Sequence, residues 1–197
     1  MPSKPLPREF YAGDSREVAP RLLGKLLVCG DLSGRIVEVE AYCGDEDPGS
    51  HAFRGQTPRN ATMFGVPGLL YVYFTYGMHW CANAVCGDEG WASAVLLRAI
   101  HPVAGVEVMR ARRPKARRER DLTNGPAKLC QALAIERSFD GADLVTGDRG
   151  ITVVDDGVPA PAAIGQSTRI GLSAGAEHPW RWYVAGDPYV SRPEPVS

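Results

Sequence analysis

The sequence predicts an α+β fold in a single domain, and three observations carry the prediction. The chain has 197 residues, enough for one sizeable core and few for two. Several segments alternate in character at period two and meet at turn residues, as antiparallel strands do. Two segments in the second half carry the start and stop residues of helices.

Taken in order, Asp14 or Ser15 caps a short helix through Leu23, with Gly24 as its stop and Pro20 awkwardly inside it. Lys25 to Cys29 reads as a strand, joined through Asp31-Leu-Ser-Gly34 to a second strand, Arg35-Ile-Val-Glu-Val-Glu-Ala-Tyr42, in an antiparallel hairpin. In that second strand Ile36, Glu38, Glu40 and Tyr42 share one face, and Val37, Val39 and Ala41 take the other, buried one. The two carboxylates stand roughly 7 Å apart along the strand. From Gly44 to Pro67 the chain has no period, and a loop of that length suggests function more than connection. A tyrosine-rich strand, Leu70 to Tyr76, then turns at Gly77, placing Tyr76 near the tip of a hairpin whose returning leg carries Asn83. Ala92 to Ile100 is an apolar strand in which Arg98 needs a partner. Gly105 to Arg113 reads as a helix ended by Pro114. Asn124 to Leu133 reads as a second, with an Asn cap, an early Pro and an N-terminus suited to an anion. Short strands follow at Ile151–Val154, Thr168–Leu172 and Arg181–Ala185, then a Pro-rich tail.

Composition narrows the class. With 44% hydrophobic and 23% charged residues, 22 Gly and 16 Pro, the chain is an ordinary globular one rich in turns. We expect one domain over 1–197 with short flexible ends. Five cysteines without a CxxC pair fit reduced thiols in a cytoplasmic protein, with no disulfide frame and no metal. The first residues lack an apolar signal core and no run is long enough to span a bilayer, so a soluble cytoplasmic protein without a membrane partner is expected. Net charge is only −1, but Arg110 to Arg120 holds seven basic residues against one acidic, a candidate phosphate-facing patch where the bland alternative is a solvated loop.

Paired acids beside aromatic rings suit the hydrolysis of a glycosidic bond, which needs charge stabilisation at the sugar and an activated water. Taken singly, alternating glutamates on a strand, one loop histidine and a run of tyrosines are commonplace. Their joint order is not. Arg35 to Tyr42, His51, Gln56-Thr-Pro-Arg-Asn60, Met63-Phe64, Pro67-Gly68, Leu70-Tyr-Val-Tyr73, Tyr76-Gly-Met78 and Asn83 closely resemble the alkyladenine (3-methyladenine) DNA glycosylase family. The resemblance continues through Val95-Leu-Leu-Arg-Ala99, Asn124 to Ala134, Arg169-Ile-Gly171 and Tyr183 to Ser191, covering nearly the whole chain.

The resemblance implies a single mixed domain with a curved antiparallel β-sheet, flanking helices and a protruding β-hairpin. It also implies a cofactor-free, monomeric repair enzyme that flips damaged purines from double-stranded DNA, such as 3-methyladenine, 7-methylguanine, hypoxanthine or ethenoadenine, and leaves an abasic site without cutting the strand. Glu40 would be the general base, with Arg98 and the Ile170 carbonyl holding its water. Tyr42, His51 and Tyr73 would enclose the base, the Gly49 carbonyl and His51 amide would read its edge, and Asn83 would screen exocyclic amines. Tyr76 would wedge into the minor groove with Met78 beside it, and Thr57, Arg59 and Lys128 would contact phosphates. The chain departs from the family pattern at Cys86–Ala92, about two residues longer, before Thr57, about one shorter, and at His79, where tyrosine is familiar. Two other readings are a carbohydrate-active hydrolase, which has no use for the basic 110–120 segment or a tyrosine at a hairpin tip, and a noncatalytic nucleic-acid module, which has no use for Glu40.

Overall fold

The computed structural model describes residues 4–75 and 77–191. These form ten strands, four α-helices and short 3-10 turns: β1 (Lys4–Pro5), α1 (Arg8–Tyr11), α2 (Ser15–Leu22), β2 (Leu26–Cys29), β3 (Leu32–Cys43), β4 (Leu69–Thr75), β5 (His79–Cys86), β6 (Ser93–Ala104), α3 (Val106–Arg112), α4 (Pro126–Leu133), β7 (Ala142–Asp143), β8 (Ile151–Asp155), β9 (Ile164–Ser167) and β10 (Arg181–Val184). The strands make one curved antiparallel sheet in the order β1-β8-β2-β3-β6-β5-β4-β7, with β10 on β3 and β9 on β10. The α+β fold read from the sequence is therefore the one observed.

β3 is the strand on which the sheet turns. One edge pairs with β6 along nearly its whole length. The other is shared, β2 taking Leu32 to Arg35 and β10 taking Glu38 to Glu40. At the changeover the β3–β6 register slips twice. Ile36 faces Ile100, Glu38 faces Ala99 and Val39 faces Leu97, so Val37 and Arg98 fall out of the pairing as bulge residues. A bulge puts two successive side chains on one face and re-aims them.

This corrects the predicted alternation. Glu38, Glu40 and Tyr42 do share a face, but Ile36 does not join them. It packs in the main core with Val39 and Ala41, while Val37 crosses to a small cluster with Ala99 and Tyr189. Nor is only one face buried, since Glu38 and Glu40 are as inaccessible as Val39.

The main core lies between the sheet and the helices. Val18, Ala19 and Leu22 of α2 and Leu129, Cys130, Ala132 and Leu133 of α4 pack on Val39, Ala41, Ala82, Ala84, Val95 and Leu97. Spacing by one, three and four gives each helix its apolar stripe. The Asp14 side chain caps α2 by accepting from the Arg16 amide at 2.7 Å. On the opposite face, the stretch from 44 to 67 folds over a second cluster of Ala52, Met63, Tyr71, Val85, Ala92 and Ala94. All five cysteines are free and buried.

Three further expectations change. The β2–β3 turn is tighter than predicted, with β3 already begun at Leu32. The N-cap of α4 is Gly125, because the Asn124 side chain instead accepts from Lys128 Nζ at 2.7 Å. Residues 168–172 are not a strand, and the strand is Ile164–Ser167. The Ile170 amide, which a strand would direct to a neighbour's carbonyl, bonds to a glutamate side chain, and Gly171 takes φ +80°.

Candidate active site

The bulged crossing of β3 and β6 gathers two acids and an arginine on one face of the sheet. Arg98 Nε donates to Glu38 Oε1 at 2.9 Å, its Nη1 lies 3.1 Å from Glu40 Oε2, and its Nη2 donates to Ser191 Oγ at 3.3 Å. The partner that the apolar run demanded is thus a pair of carboxylates. Burial alone would drive the guanidinium's pKa down, but Glu40 and Glu38 outweigh it and push the pKa up.

The two glutamates have different surroundings. Glu40 Oε1 accepts the Ile170 amide at 2.8 Å, and Oε2 accepts the Tyr42 hydroxyl at 2.9 Å. Glu38 accepts from Arg98, from Arg181 Nε at 2.8 Å, and from the amide and hydroxyl of Ser191 at 2.6 and 2.8 Å. Desolvation pushes the Glu38 carboxyl up, and Arg98 and Arg181 overcome it, holding the group below the ordinary glutamate value.

Beside Glu40 opens a cavity of about 320 Å³ whose lining includes Tyr42, Gly49, His51, Tyr73, Asn83, Arg98 and Ile170. That volume is in the range of small-molecule sites. Glu40 itself has no exposed surface and sits behind Tyr42, Arg98 and Ile170. One wall is aromatic. The Tyr71 and Tyr73 rings stack at 5.4 Å, and His51 stands edge-on to Tyr73 at 4.4 Å with Nδ1 at 3.2 Å from the Tyr71 hydroxyl. Although the His51 ring keeps access to solvent at the rim, desolvation by this wall lowers its pKa, and Arg59 lowers it further. Burial likewise pushes the Tyr71 hydroxyl up to about 12. Asn83 is buried on β5 and donates from Nδ2 to the Tyr71 carbonyl at 3.1 Å, which fixes the amide's orientation.

All eight residues assigned by sequence to chemistry or base binding thus come together, Glu40 behind the wall and seven on it. Ile170 meets Glu40 through its N–H. Of the residues assigned to DNA, Met78, Thr57, Arg59 and Lys128 do not line the cavity. Met78 is 69% exposed in the turn between β4 and β5. Thr57 is exposed, its amide and hydroxyl both bonded to Asn60 Oδ1, and Arg59 is exposed and donates to the Phe74 carbonyl at 2.9 Å. Lys128 is half-buried near Pro126 and Ala127, which line the cavity. Tyr76 lies outside the described residues. In the basic segment, Arg110 and Arg118 are paired with Glu119 and Asp121, whereas Lys115, Arg117 and Arg120 are exposed and make no ion pair among the described residues.

Sequence reading missed the clamp that closes the site. Asp47 holds the Arg169 Nη1 and Nη2 at 2.5 and 2.7 Å, and also accepts the Gly49 amide at 2.9 Å. Arg169 then donates to the carbonyls of Ala41 and Gly175 at 3.0 and 2.9 Å, and its guanidinium lies 4.7 Å from the Tyr42 ring centre and 5.0 Å from that of Trp180. Gly49 fits because it is small: a Cβ there would meet Arg169 Nη2 and Leu172 Cδ1 at 2.9 Å. Of this set, the Arg-Ile-Gly motif at 169–171 was the only local signal.

A buried glutamate paired with an arginine beside a tyrosine-and-histidine wall, on one face of a curved antiparallel sheet, is the arrangement that the fold and the cavity define. The particular family follows from comparison with known proteins. Residues 9–188 match the model of the methylpurine-DNA glycosylase (MPG) family. A Burkholderia lata protein named "Putative 3-methyladenine DNA glycosylase" is 54% identical over 98% of this chain and 93% of its own. Relatives of the same name from Streptomyces avermitilis (49% identity, 95% and 91% coverage) and Methanocella arvoryzae (45%, 96% and 97%) agree. The chain belongs to the methylpurine-DNA glycosylase family, DNA-repair hydrolases of N-glycosyl bonds.

Proposed function

We propose that this protein removes alkylated or deaminated purines from double-stranded DNA by base flipping, with Glu40 activating the water that displaces the base. The observation that carries the reading is the unequal loading of the Glu40 oxygens. Oε2 accepts the Tyr42 hydroxyl and has the Arg98 guanidinium as an ion-pair neighbour at 3.1 Å, whereas Oε1 meets only the Ile170 amide. Oε2 is therefore the more engaged oxygen, and Oε1 is the one we assign to accept a proton from water. The water oxygen bonds to C1′ of the sugar, the C1′–N bond breaks with its electron pair leaving on the purine, and the proton passes to Glu40.

A purine cationic from alkylation leaves as a neutral ring, so the protein has mainly to aim water and stabilise the sugar's developing positive charge, which the Glu40 carboxylate does. The electron-rich faces of Tyr42 and Tyr73 favour such a cation. Asn83, with its orientation set by Tyr71, screens exocyclic amines, and the Gly49 carbonyl and His51 amide read the ring's edge. Thr57, Arg59, Lys128 and Met78 contact the DNA, with Tyr76 as the wedge; the protein acts as a monomer, without cofactor, in the cytoplasm. In the matched positions no lysine stands where a nucleophile would, so the product is an abasic site in an unbroken strand.

The test is single-turnover excision on a panel of duplexes, each with one defined purine lesion, beside an undamaged duplex and an oligosaccharide. Release of methylpurines without strand cleavage supports the reading. Hydrolysis of the sugar alone, or retention of damaged DNA without base release, would move the protein to one of the other two classes.

A further inference from the structure

We propose that Glu38 is a positioning residue for base release: it fixes the Arg98 guanidinium so that one arm points at Glu40, and ties that arrangement to the chain at Ser191. The inference rests on the reading of Glu40 as the base. Glu38 is wholly buried and does not line the cavity. Both its oxygens are occupied by donors from three places, Arg98 on β6, Arg181 on β10 and Ser191 beyond it. Substrate therefore has no path to it.

Its grip on Arg98 is specific. Nε carries one hydrogen, and that hydrogen is directed at Glu38, while Nη1 meets Glu40 and Nη2 meets Ser191. With all three nitrogens held by different groups, the guanidinium has one orientation. Without Glu38 the Cδ–Nε torsion is released, and Nη1 loses its hold on the side of Glu40 where the water must be aimed. The alternative role, a second acid that protonates the leaving base, needs a protonated carboxyl. Arg98 and Arg181 keep Glu38 ionised. The charged groups facing Glu38 are those two arginines and, across Arg98, Glu40.

The test is E38Q in the full chain, beside E40Q, measured as single-turnover release of methylpurines from a methylated duplex and as binding to a lesion duplex made uncleavable by a 2′-fluoro sugar. We expect E38Q to slow release 10- to 100-fold with binding within threefold of wild type. A merely structural Glu38 would lose lesion binding and thermal stability in step with release, and that outcome, or a wild-type rate for E38Q, would overturn the proposal. Loss as complete as in E40Q, with binding intact, would make Glu38 itself the base. Should E38Q fail to fold, S191A decides: it removes one bond from Arg98 and one from Glu38 without changing charge, and should slow release three- to tenfold. No change in S191A would then refute the positioning role. Release by E40Q at the wild-type rate would bring down the reading of the site and this inference with it, whereas an inert E40Q beside a fully active E38Q brings down only the inference.

Discussion

Asp47 and Arg169, both wholly buried at their side chains, face each other through two bonds of 2.5 and 2.7 Å across 122 residues of sequence. The pair joins the loop that carries Gly49 and His51 to the segment that carries Ile170, and it presses a guanidinium against Tyr42. Breaking a buried ion pair from one side leaves an uncompensated charge, at a cost of about 3–5 kcal/mol. Asp47→Asn should therefore lower stability in urea unfolding by about that amount, and base release should fall with it. A loss below about 1 kcal/mol would show that the pair is not the clamp described.

His51 supplies a prediction on protonation. Desolvation and Arg59 lower its pKa from the ordinary 6.5. As pH falls, the unfolded chain thus takes up this proton before the folded one does, and His51 contributes a loss of stability through the window below 6.5. An NMR titration of the ring should find its midpoint below 6.5, and Arg59→Ala should raise it. A midpoint at or above the ordinary value would remove both causes, and one that Arg59→Ala leaves in place would remove Arg59.

How far the site was legible in the sequence depends on whether a residue's partner lies on its own strand or far away. Period two correctly put Glu38, Glu40 and Tyr42 on one face, and an arginine in an apolar strand correctly signalled a buried partner for Arg98. The same rule misplaced Ile36, because nothing local announces that Val37 and Arg98 drop out of register where β3 exchanges β2 for β10. Asp47 and Arg181 were passed over for a related reason: each reads as a loop or strand charge until the fold brings it to Arg169 or Glu38. Ile170 was placed in a strand, although its amide is taken by Glu40.

Tyr76 follows Thr75, the last residue of β4, in the sequence. If it fills the gap left by a flipped base, Tyr76→Ala should forfeit a stacking contact worth on the order of 1–3 kcal/mol. The loss of excision should be largest for a well-paired lesion and smaller opposite a mismatch, where unstacking is already cheap. Equal losses in both duplexes would reassign Tyr76 to the pocket or the core.

The central claim is that Glu40 is the base, and the most direct test is Glu40→Gln assayed for binding and excision in one preparation. The amide keeps the shape and its one oxygen can still accept from the Ile170 amide or from the Tyr42 hydroxyl, but it cannot take a proton from water. The account predicts binding to lesion DNA close to wild type with single-turnover release reduced at least 1,000-fold, by about 4 kcal/mol in the barrier. Excision by Glu40→Gln near the wild-type rate would contradict it.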